Sequence, residues 1–119
     1  MSEYNEQCCV MDWAEAMTPR YPELALLNSS ANGVRVPIGL AVKMKKAGLK
    51  KGYPDLFLPV PRGKFHGLYV EQKIKGGRQS EEQKWWEARL RQLGYAYFLC
   101  WDSRATCEVI EGYLKGDMK

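Results

Sequence analysis

The chain has 119 residues, 45% of them hydrophobic and 12% aromatic, with a net charge of +4. This composition excludes a disordered chain, and the length suits one domain with one core. No apolar run approaches the roughly 20 residues of a membrane-spanning helix, and the N-terminus lacks a signal-peptide pattern. We therefore expect a single cytoplasmic domain over residues 1–119, with 115–119 as a loose C-terminal tail and no membrane contact.

The charge is unevenly distributed along the chain. Residues 43–91 hold 13 of the 18 Lys and Arg but only five of the 14 Asp and Glu. Such a segment suits a polyanionic partner, because phosphate contacts come mainly from Lys and Arg. A merely solvated surface would have the same composition, so charge alone does not choose between the two.

The first third of the chain predicts a helix and a short strand. Apolar residues recur at spacings of three and four residues over residues 3–17. Ser2 is a suitable N-cap, and the prolines after residue 17 end the helix. The short apolar run Leu24–Leu27 is interpreted as a strand. A cluster of turn formers over residues 28–33 then predicts a loop.

Residues 38–47 predict a second, shorter helix that ends at Gly48. We expect Ile38, Ala41 and Val42 to face inward. The lysines of this segment then face outward.

Two strands joined by a tight turn follow. Residues 55–60 form the first strand, and residues 65–75 form its partner. The Pro-rich and Gly-containing connector predicts that the two form a hairpin.

A long helix from Ser80 to Leu93 carries a capping box, with Ser80 at the N-cap and Gln83 three residues on. Trp86, Leu90 and Leu93 are expected to face the core. Trp85 and Trp86 cannot both easily fit one inward stripe, so Trp85 is expected to be exposed and points to a contact with a second copy of the chain.

The chain closes with a hydrophobic strand over 95–101 and a helix over 103–114, capped by Asp102 or Ser103. The element order is therefore α-β-α-β-β-α-β-α. This order predicts an α/β fold with a central mixed β-sheet flanked by helices.

The acids of the predicted hairpin are suited to binding a divalent metal ion. Asp55 and Glu71 lie on adjacent predicted strands, and Mg²⁺ usually takes only one or two carboxylates from a protein. The backbone carbonyl of Gln72 could add a third oxygen ligand. A divalent ion held there would promote hydrolysis of a phosphodiester.

Glu71 and Lys73 are two residues apart on one strand, so their side chains share a face. Lys73 could orient the attacking water or stabilise the phosphate as a point charge. The alternative is a simple Glu71–Lys73 ion pair at the strand end, with Asp55 as a turn residue. Such exposed pairs contribute at most about 1 kcal/mol.

Further motifs surround these residues over nearly the whole chain. In order they are Ser2-Glu3-Tyr4-Asn5-Glu6-Gln7, Asn32-Gly33, the lysine-rich segment ending in Gly48, Gly52-Tyr53-Pro54-Asp55-Leu56, Glu71-Gln72-Lys73, Ser80-Glu81-Glu82-Gln83 and Gly94-Tyr95. Together they resemble the PD-(D/E)XK nuclease superfamily, and within it the small VRR-NUC domains, particularly the stand-alone phage and prophage type. The resemblance implies a restriction-endonuclease-like core and a nuclease that depends on Mg²⁺ or Mn²⁺.

The resemblance also implies roles for individual residues. Asp55 and Glu71 match the metal ligands, and Lys73 matches the catalytic lysine. Gln83 matches a glutamine near the active site, a role that is compatible with its place in the capping box.

Glu3 best matches an acid on the first helix that helps to hold the metal, and Glu6 is the alternative. The residue between the acid and the lysine is usually Val, Met or Ile in these domains. Gln72 departs from that pattern and places a polar group where apolar packing is common.

Residues expected to contact DNA lie before and after the acids in sequence. They are Asn32, Lys43, Lys45, Lys46, Lys50, Lys51, Lys75 and Arg78. Contacts of this kind select nucleic acid by shape rather than by base sequence.

The leading hypothesis is therefore a metal-dependent DNA endonuclease, with branched or Holliday-junction DNA as a candidate substrate. The resemblance implies a homodimer, and a two-fold dimer would present two active sites to a symmetric junction. A catalytically silent nucleic-acid-binding module and an RNA nuclease of the same fold are the alternatives.

Overall fold

The computed structural model describes residues 2–30 and 35–118. Over these residues the chain forms α1 (Glu3–Met17), a 3₁₀ helix (Pro22–Leu26), β1 (Asn28–Ser29), α2 (Ile38–Lys46), β2 (Leu56–Leu58), β3 (Leu68–Gln72), α3 (Glu81–Gln92), β4 (Ala96–Cys100) and α4 (Ser103–Leu114). This confirms the predicted α/β order. Among the described residues, none of the helices is long and apolar enough to cross a membrane.

The four strands form one mixed sheet in the order β1-β2-β3-β4. β1 and β2 are antiparallel, and so are β2 and β3, as the predicted hairpin requires. β4 runs parallel to β3, and α3 makes the crossover between them. The flanked mixed sheet predicted from the element order is thus confirmed.

The sheet separates two groups of buried side chains, because strand residues alternate between its faces. On one face, Leu56, Leu58, Leu68 and Val70 join residues of α1 and α4 in the main core. Beyond α4, where the sequence predicts a loose tail, Met118 is partly buried and packs against this core.

The opposite face is aromatic and lies under α3. Phe57 stacks on Tyr69 with 4.3 Å between ring centroids, and Tyr97 and Leu90 are buried beside them. Tyr53 meets Trp86 of α3 edge-on at 5.0 Å. This layer ties α3 to the strands that carry the candidate site.

The helix N-termini are capped as the sequence predicts. The Ser2 hydroxyl accepts a hydrogen bond from the Asn5 N–H, and the Asp102 carboxylate accepts one from the Ala105 N–H at 2.7 Å. The capping box at the start of α3 is also formed in full. Such caps satisfy N–H groups that have no partner within the helix.

The strand predicted at Leu24–Leu27 is wrong. Pro22–Leu26 forms a 3₁₀ helix, with the proline in its first turn. The short strand β1 lies instead at Asn28–Ser29, within the predicted loop. Four apolar residues are too few for periodicity to separate a strand from a helical turn.

The inward face predicted for α2 is also wrong. Ile38 is 84% exposed, Val42 is 52% exposed, and Ala41 is exposed too, so that no residue of this helix is buried. The core position predicted for Leu93 is wrong too, because Leu93 is the C-cap of α3 and is 64% exposed. An amphipathic pattern predicts which side of a helix is apolar, but it does not show that another element packs against that side.

Candidate active site

Asp55 and Glu71 meet on the face of the sheet that α3 covers. Asp55 directly precedes β2, and because Leu56 pairs with Val70, the antiparallel register brings Asp55 opposite Glu71. Both side chains are buried, Asp55 at 8% exposure and Glu71 at 1%. Asp55 Oδ2 also accepts a hydrogen bond from the Gln72 N–H at 2.6 Å, which fixes the carboxyl against β3.

Burial and mutual proximity change the acidity of this pair. Burial raises the pKa of Asp55 above its ordinary value, although Glu71, the Gln72 N–H and the charge of Lys73 act in the opposite direction. Burial, followed by the hydrogen bond and charge of Asp55, raises the pKa of Glu71 to about 9. Two such acids cannot both ionise at little cost unless a positive charge lies between them.

Lys73 supplies positive charge next to the two acids. It directly follows β3, is only 8% exposed, and its N–H donates to the Cys100 carbonyl at 2.8 Å. Its charge lowers the pKa of both Asp55 and Glu71. Within the described part of the chain, none of the ion pairs shorter than 4.0 Å involves Lys73. The simple Glu71–Lys73 ion pair considered from the sequence is therefore not formed.

Gln83 makes both of the contacts that its position suggests. Its Oε1 accepts from the Ser80 N–H at 2.8 Å and closes the capping box. Its Nε2 donates to Glu71 Oε2 at 3.0 Å. The first turn of α3 is thereby joined to the acid pair.

The loop before Asp55 packs tightly against the same turn of α3. Gly52 has φ +86°, and a Cβ added there would lie 2.6 Å from Glu82 Cβ and 2.9 Å from the Gln83 N. Both the positive φ and the close approach require glycine at this position.

Tyr97 is a site residue that the sequence analysis missed. Its hydroxyl donates to Glu71 Oε1 at 3.4 Å, and its ring is fully buried. Tyr97 pairs with Tyr69 across the parallel strands, so it shares the face of Glu71. The signal was a phenol within an apolar strand, which usually indicates a buried hydrogen-bond partner.

The structure shows different contacts for Glu3 and Glu6, the two α1 acids that are candidates for the metal ligand. Glu6 Oε2 accepts a hydrogen bond from the Ser103 N–H at 2.9 Å and so helps to cap α4. The charge of Glu3 raises the pKa of Glu71, so Glu3 is within electrostatic reach of that acid. Over residues 2–30 and 35–118, however, no three His, Cys, Asp or Glu side chains are grouped closely enough to bind a metal.

Gln72 points away from the acids. Its side chain is 1% exposed, and neither its Nε2 nor its Oε1 has a hydrogen-bond partner. Its backbone, in contrast, belongs to the site through the hydrogen bond to Asp55.

The predicted DNA-contact residues fall into separate groups. The α2 lysines Lys43, Lys45 and Lys46 are exposed, as are Lys50 and Lys51 in the next loop and Lys75 and Arg78 after β3. Lys51 contacts α3, where its carbonyl accepts a hydrogen bond from Trp86 Nε1 at 3.2 Å. Asn32 lies outside the described residues.

Comparison with known proteins identifies the family. The family model for the VRR-NUC domain matches residues 2–102. A solved structure described as a VRR_NUC domain protein superposes with a TM-score of 0.75 at 26% identity, covering 97% of this chain and 89% of that one. No curated protein matches the sequence. Because the family model spans most of the chain, the protein belongs to the VRR-NUC family of nuclease-type domains.

Proposed function

We propose that the protein is a metal-dependent nuclease that hydrolyses phosphodiester bonds in DNA, with Asp55, Glu71 and Lys73 at its active centre. The buried acid pair is the observation that carries this proposal. Two buried acids in contact, both with raised pKa values, reduce the stability of the fold when they ionise unless a cation compensates their charge. In a protein of a nuclease-type family, the natural compensation is the catalytic metal.

The donor set fits a hard divalent ion such as Mg²⁺ or Mn²⁺. Carboxylate and carbonyl oxygens are the ligands such ions prefer, and Asp55, Glu71 and the Gln72 carbonyl supply them. When bound, the ion supplies Lewis acidity and lowers the pKa of coordinated water. We propose Glu3 as the acid on α1 that would complete the set, because its charge acts on Glu71.

The other site residues prepare the centre for phosphate. Lys73 holds a positive charge beside the acids, where it can orient the attacking water and stabilise charge on the phosphate oxygens. Gln83 fixes Glu71 through its donated hydrogen bond, and Tyr97 donates to the other oxygen of the same carboxyl. The metal-holding carboxyl is thus oriented by hydrogen bonds before substrate arrives.

The exposed lysines support a nucleic-acid substrate, since they suit contacts to a phosphate backbone. Because such contacts read shape, we propose selectivity for branched DNA, including four-way junctions. A homodimer would place two centres on a symmetric junction.

The test is cleavage of supercoiled plasmid and of a synthetic four-way junction with Mg²⁺, Mn²⁺ or EDTA. We expect cleavage with either metal, none in EDTA, and at least a roughly 100-fold loss in Lys73→Ala, because a preorganised charge at the phosphate is removed. Lys115→Ala, at an exposed lysine just after α4, is the matched control. Cleavage that persists in EDTA or in Lys73→Ala would contradict this mechanism.

The same assay separates the alternatives. Salt-sensitive DNA binding without cleavage in any metal would favour a silent binding module. Cleavage of an RNA version of the junction, with the DNA version left intact, would favour an RNA nuclease.

The acids of α1 give a second prediction. Glu3→Gln should reduce cleavage with little change in melting temperature, because it removes the carboxylate that we propose completes the metal-binding set near Glu71. Glu6→Gln should leave cleavage intact but lower the unfolding free energy by about 0.5–1 kcal/mol, because the charge facing the α4 N-terminus is lost. Cleavage kinetics and thermal melts of both variants check this, and a reversed pattern would assign the metal to Glu6.

A further inference from the structure

A groove beside the candidate active site has no role in the mechanism proposed above. We call it the tryptophan groove, and it is lined by Lys50, Lys51, Glu81, Glu82, Trp85 and Trp86. Its volume is about 580 Å³, within the roughly 300–1,000 Å³ of typical small-molecule sites. A smaller cavity of about 310 Å³ lies against the same Lys50 and Trp86 and continues toward Tyr53.

The indoles of the groove are held in fixed positions. Trp86 Nε1 donates to the Lys51 carbonyl at 3.2 Å, and its ring meets Tyr53 edge-on at 5.0 Å. Trp85 packs edge-on against Trp86 at 5.3 Å, and the Arg89 guanidinium lies 5.0 Å from the Trp85 ring centroid. Trp85 nevertheless remains 52% exposed, although an exposed indole is costly in water.

The charges around the groove are arranged asymmetrically. Lys50 and Lys51 form one side, on the loop before β2. Glu81 and Glu82 form the other side, and Glu81 is paired with Lys84 at 3.3 Å. Phosphates are therefore favoured on the lysine side and disfavoured on the α3 side, with the aromatic surface between them.

The groove is also joined to the candidate active site. Gln83, whose amide contacts Glu71, follows directly after Glu82 of the groove. Gly52, next to Lys51, packs against both of these α3 residues. A strand leaving the acid pair along this side of α3 would pass the indoles.

We propose that the tryptophan groove binds an unpaired nucleobase of the substrate strand, stacked on Trp85, with the flanking phosphates beside Lys50 and Lys51. This deepens the proposed nuclease function and rests on it. Exposed aromatic rings flanked by basic residues are how proteins hold single strands, because every base has a face that can stack. The groove would thus select substrates with single-stranded segments over continuous duplex.

The experiment measures binding without cleavage. Fluorescein-labelled oligo(dT), oligo(U) and a blunt duplex are titrated with protein in EDTA, with fluorescence anisotropy as the readout. We expect Trp85→Ala to weaken single-strand binding roughly 5- to 100-fold while duplex binding is unchanged, and Trp85→Phe to retain most of it. Leu93→Ala, at the exposed far end of the same helix, is the matched control. The dT and U arms report whether the strand is DNA or RNA.

Unchanged single-strand affinity in Trp85→Ala would overturn the inference, even if the wild-type protein cleaves plasmid. Equal losses for strand and duplex would overturn it too, because the groove would then contact only phosphates. A change in oligomeric state, measured by light scattering, in place of a change in binding would instead assign the groove to a second copy of the chain. Trp85-dependent single-strand binding without plasmid cleavage in Mg²⁺ would support the groove and contradict the nuclease function.

Discussion

Glu71→Gln is expected to reduce cleavage at least roughly 100-fold and, in metal-free protein, to raise the melting temperature. Activity falls because one of the two proposed metal-binding carboxylates is lost. Stability rises because the substitution removes a buried acid whose pKa is raised to about 9 by burial and by Asp55. The two effects are opposite in sign, as expected for a residue retained for function rather than for stability.

The stability difference should depend on pH. A carboxyl with a raised pKa holds its proton more tightly in the folded state, so the wild-type protein loses stability as pH rises from about 4.5 toward about 9. Glu71→Gln lacks this titration. At pH 8 we expect the metal-free variant to be more stable by at least about 1 kcal/mol, since a pKa difference of one corresponds to about 1.4 kcal/mol.

Thermal melts with and without divalent ion check both parts. Mg²⁺ or Mn²⁺ should raise the melting temperature of the wild-type protein and not that of Glu71→Gln, because only the former binds the ion in its folded state. Glu15→Gln, at an exposed acid of α1, is the matched control. A metal-free Glu71→Gln that melts below the wild-type protein would show that the acid pair stabilises the fold.

Gln72→Met is expected to stabilise the protein by about 1–3 kcal/mol with cleavage unchanged. The Gln72 amide is 1% exposed and makes no hydrogen bond, so it loses its contacts with water on folding without replacing them. Methionine has a similar length and no strong polar group. The backbone of residue 72, which bonds Asp55, remains in place.

Chemical denaturation checks this prediction, together with the plasmid assay. Gln92→Met, at an exposed glutamine of α3, reports any effect of the same exchange on the unfolded chain. A Gln72→Met variant that is less stable than the wild-type protein would mean that the amide is hydrogen-bonded through buried water.

Local signals in the sequence predicted most of the fold. Ser2, the Ser80–Gln83 box and Asp102 mark helix starts that the structure confirms, because capping depends on residues only three apart. The hairpin was predictable for a similar reason, since a Pro- and Gly-containing connector joins two neighbouring apolar runs. The register that sets Asp55 opposite Glu71 comes from the structure.

What the sequence could not supply were contacts between distant residues. The hydrogen bond from the Ser103 N–H to Glu6 joins residues 97 positions apart, so nothing near Glu6 distinguishes it from Glu3. Whether Ile38 is buried depends likewise on what lies opposite α2 and not on the pattern of α2 itself. The prediction for Leu24–Leu27 failed because so short an apolar run is compatible with either structure.

At position 83, helix capping allows glutamate or glutamine, and the neighbouring Glu71 restricts the choice to glutamine. A capping box works with either glutamate or glutamine at its third position, since both offer an oxygen to the N-cap N–H. Here the oxygen of the Gln83 amide accepts from the Ser80 N–H, and the nitrogen of the same amide donates to Glu71 Oε2. A glutamate would complete the cap equally well but would place a third acid against the pair and have no proton to offer it. Of two residues that are equivalent for helix initiation, only the amide is compatible with the chemistry beside it.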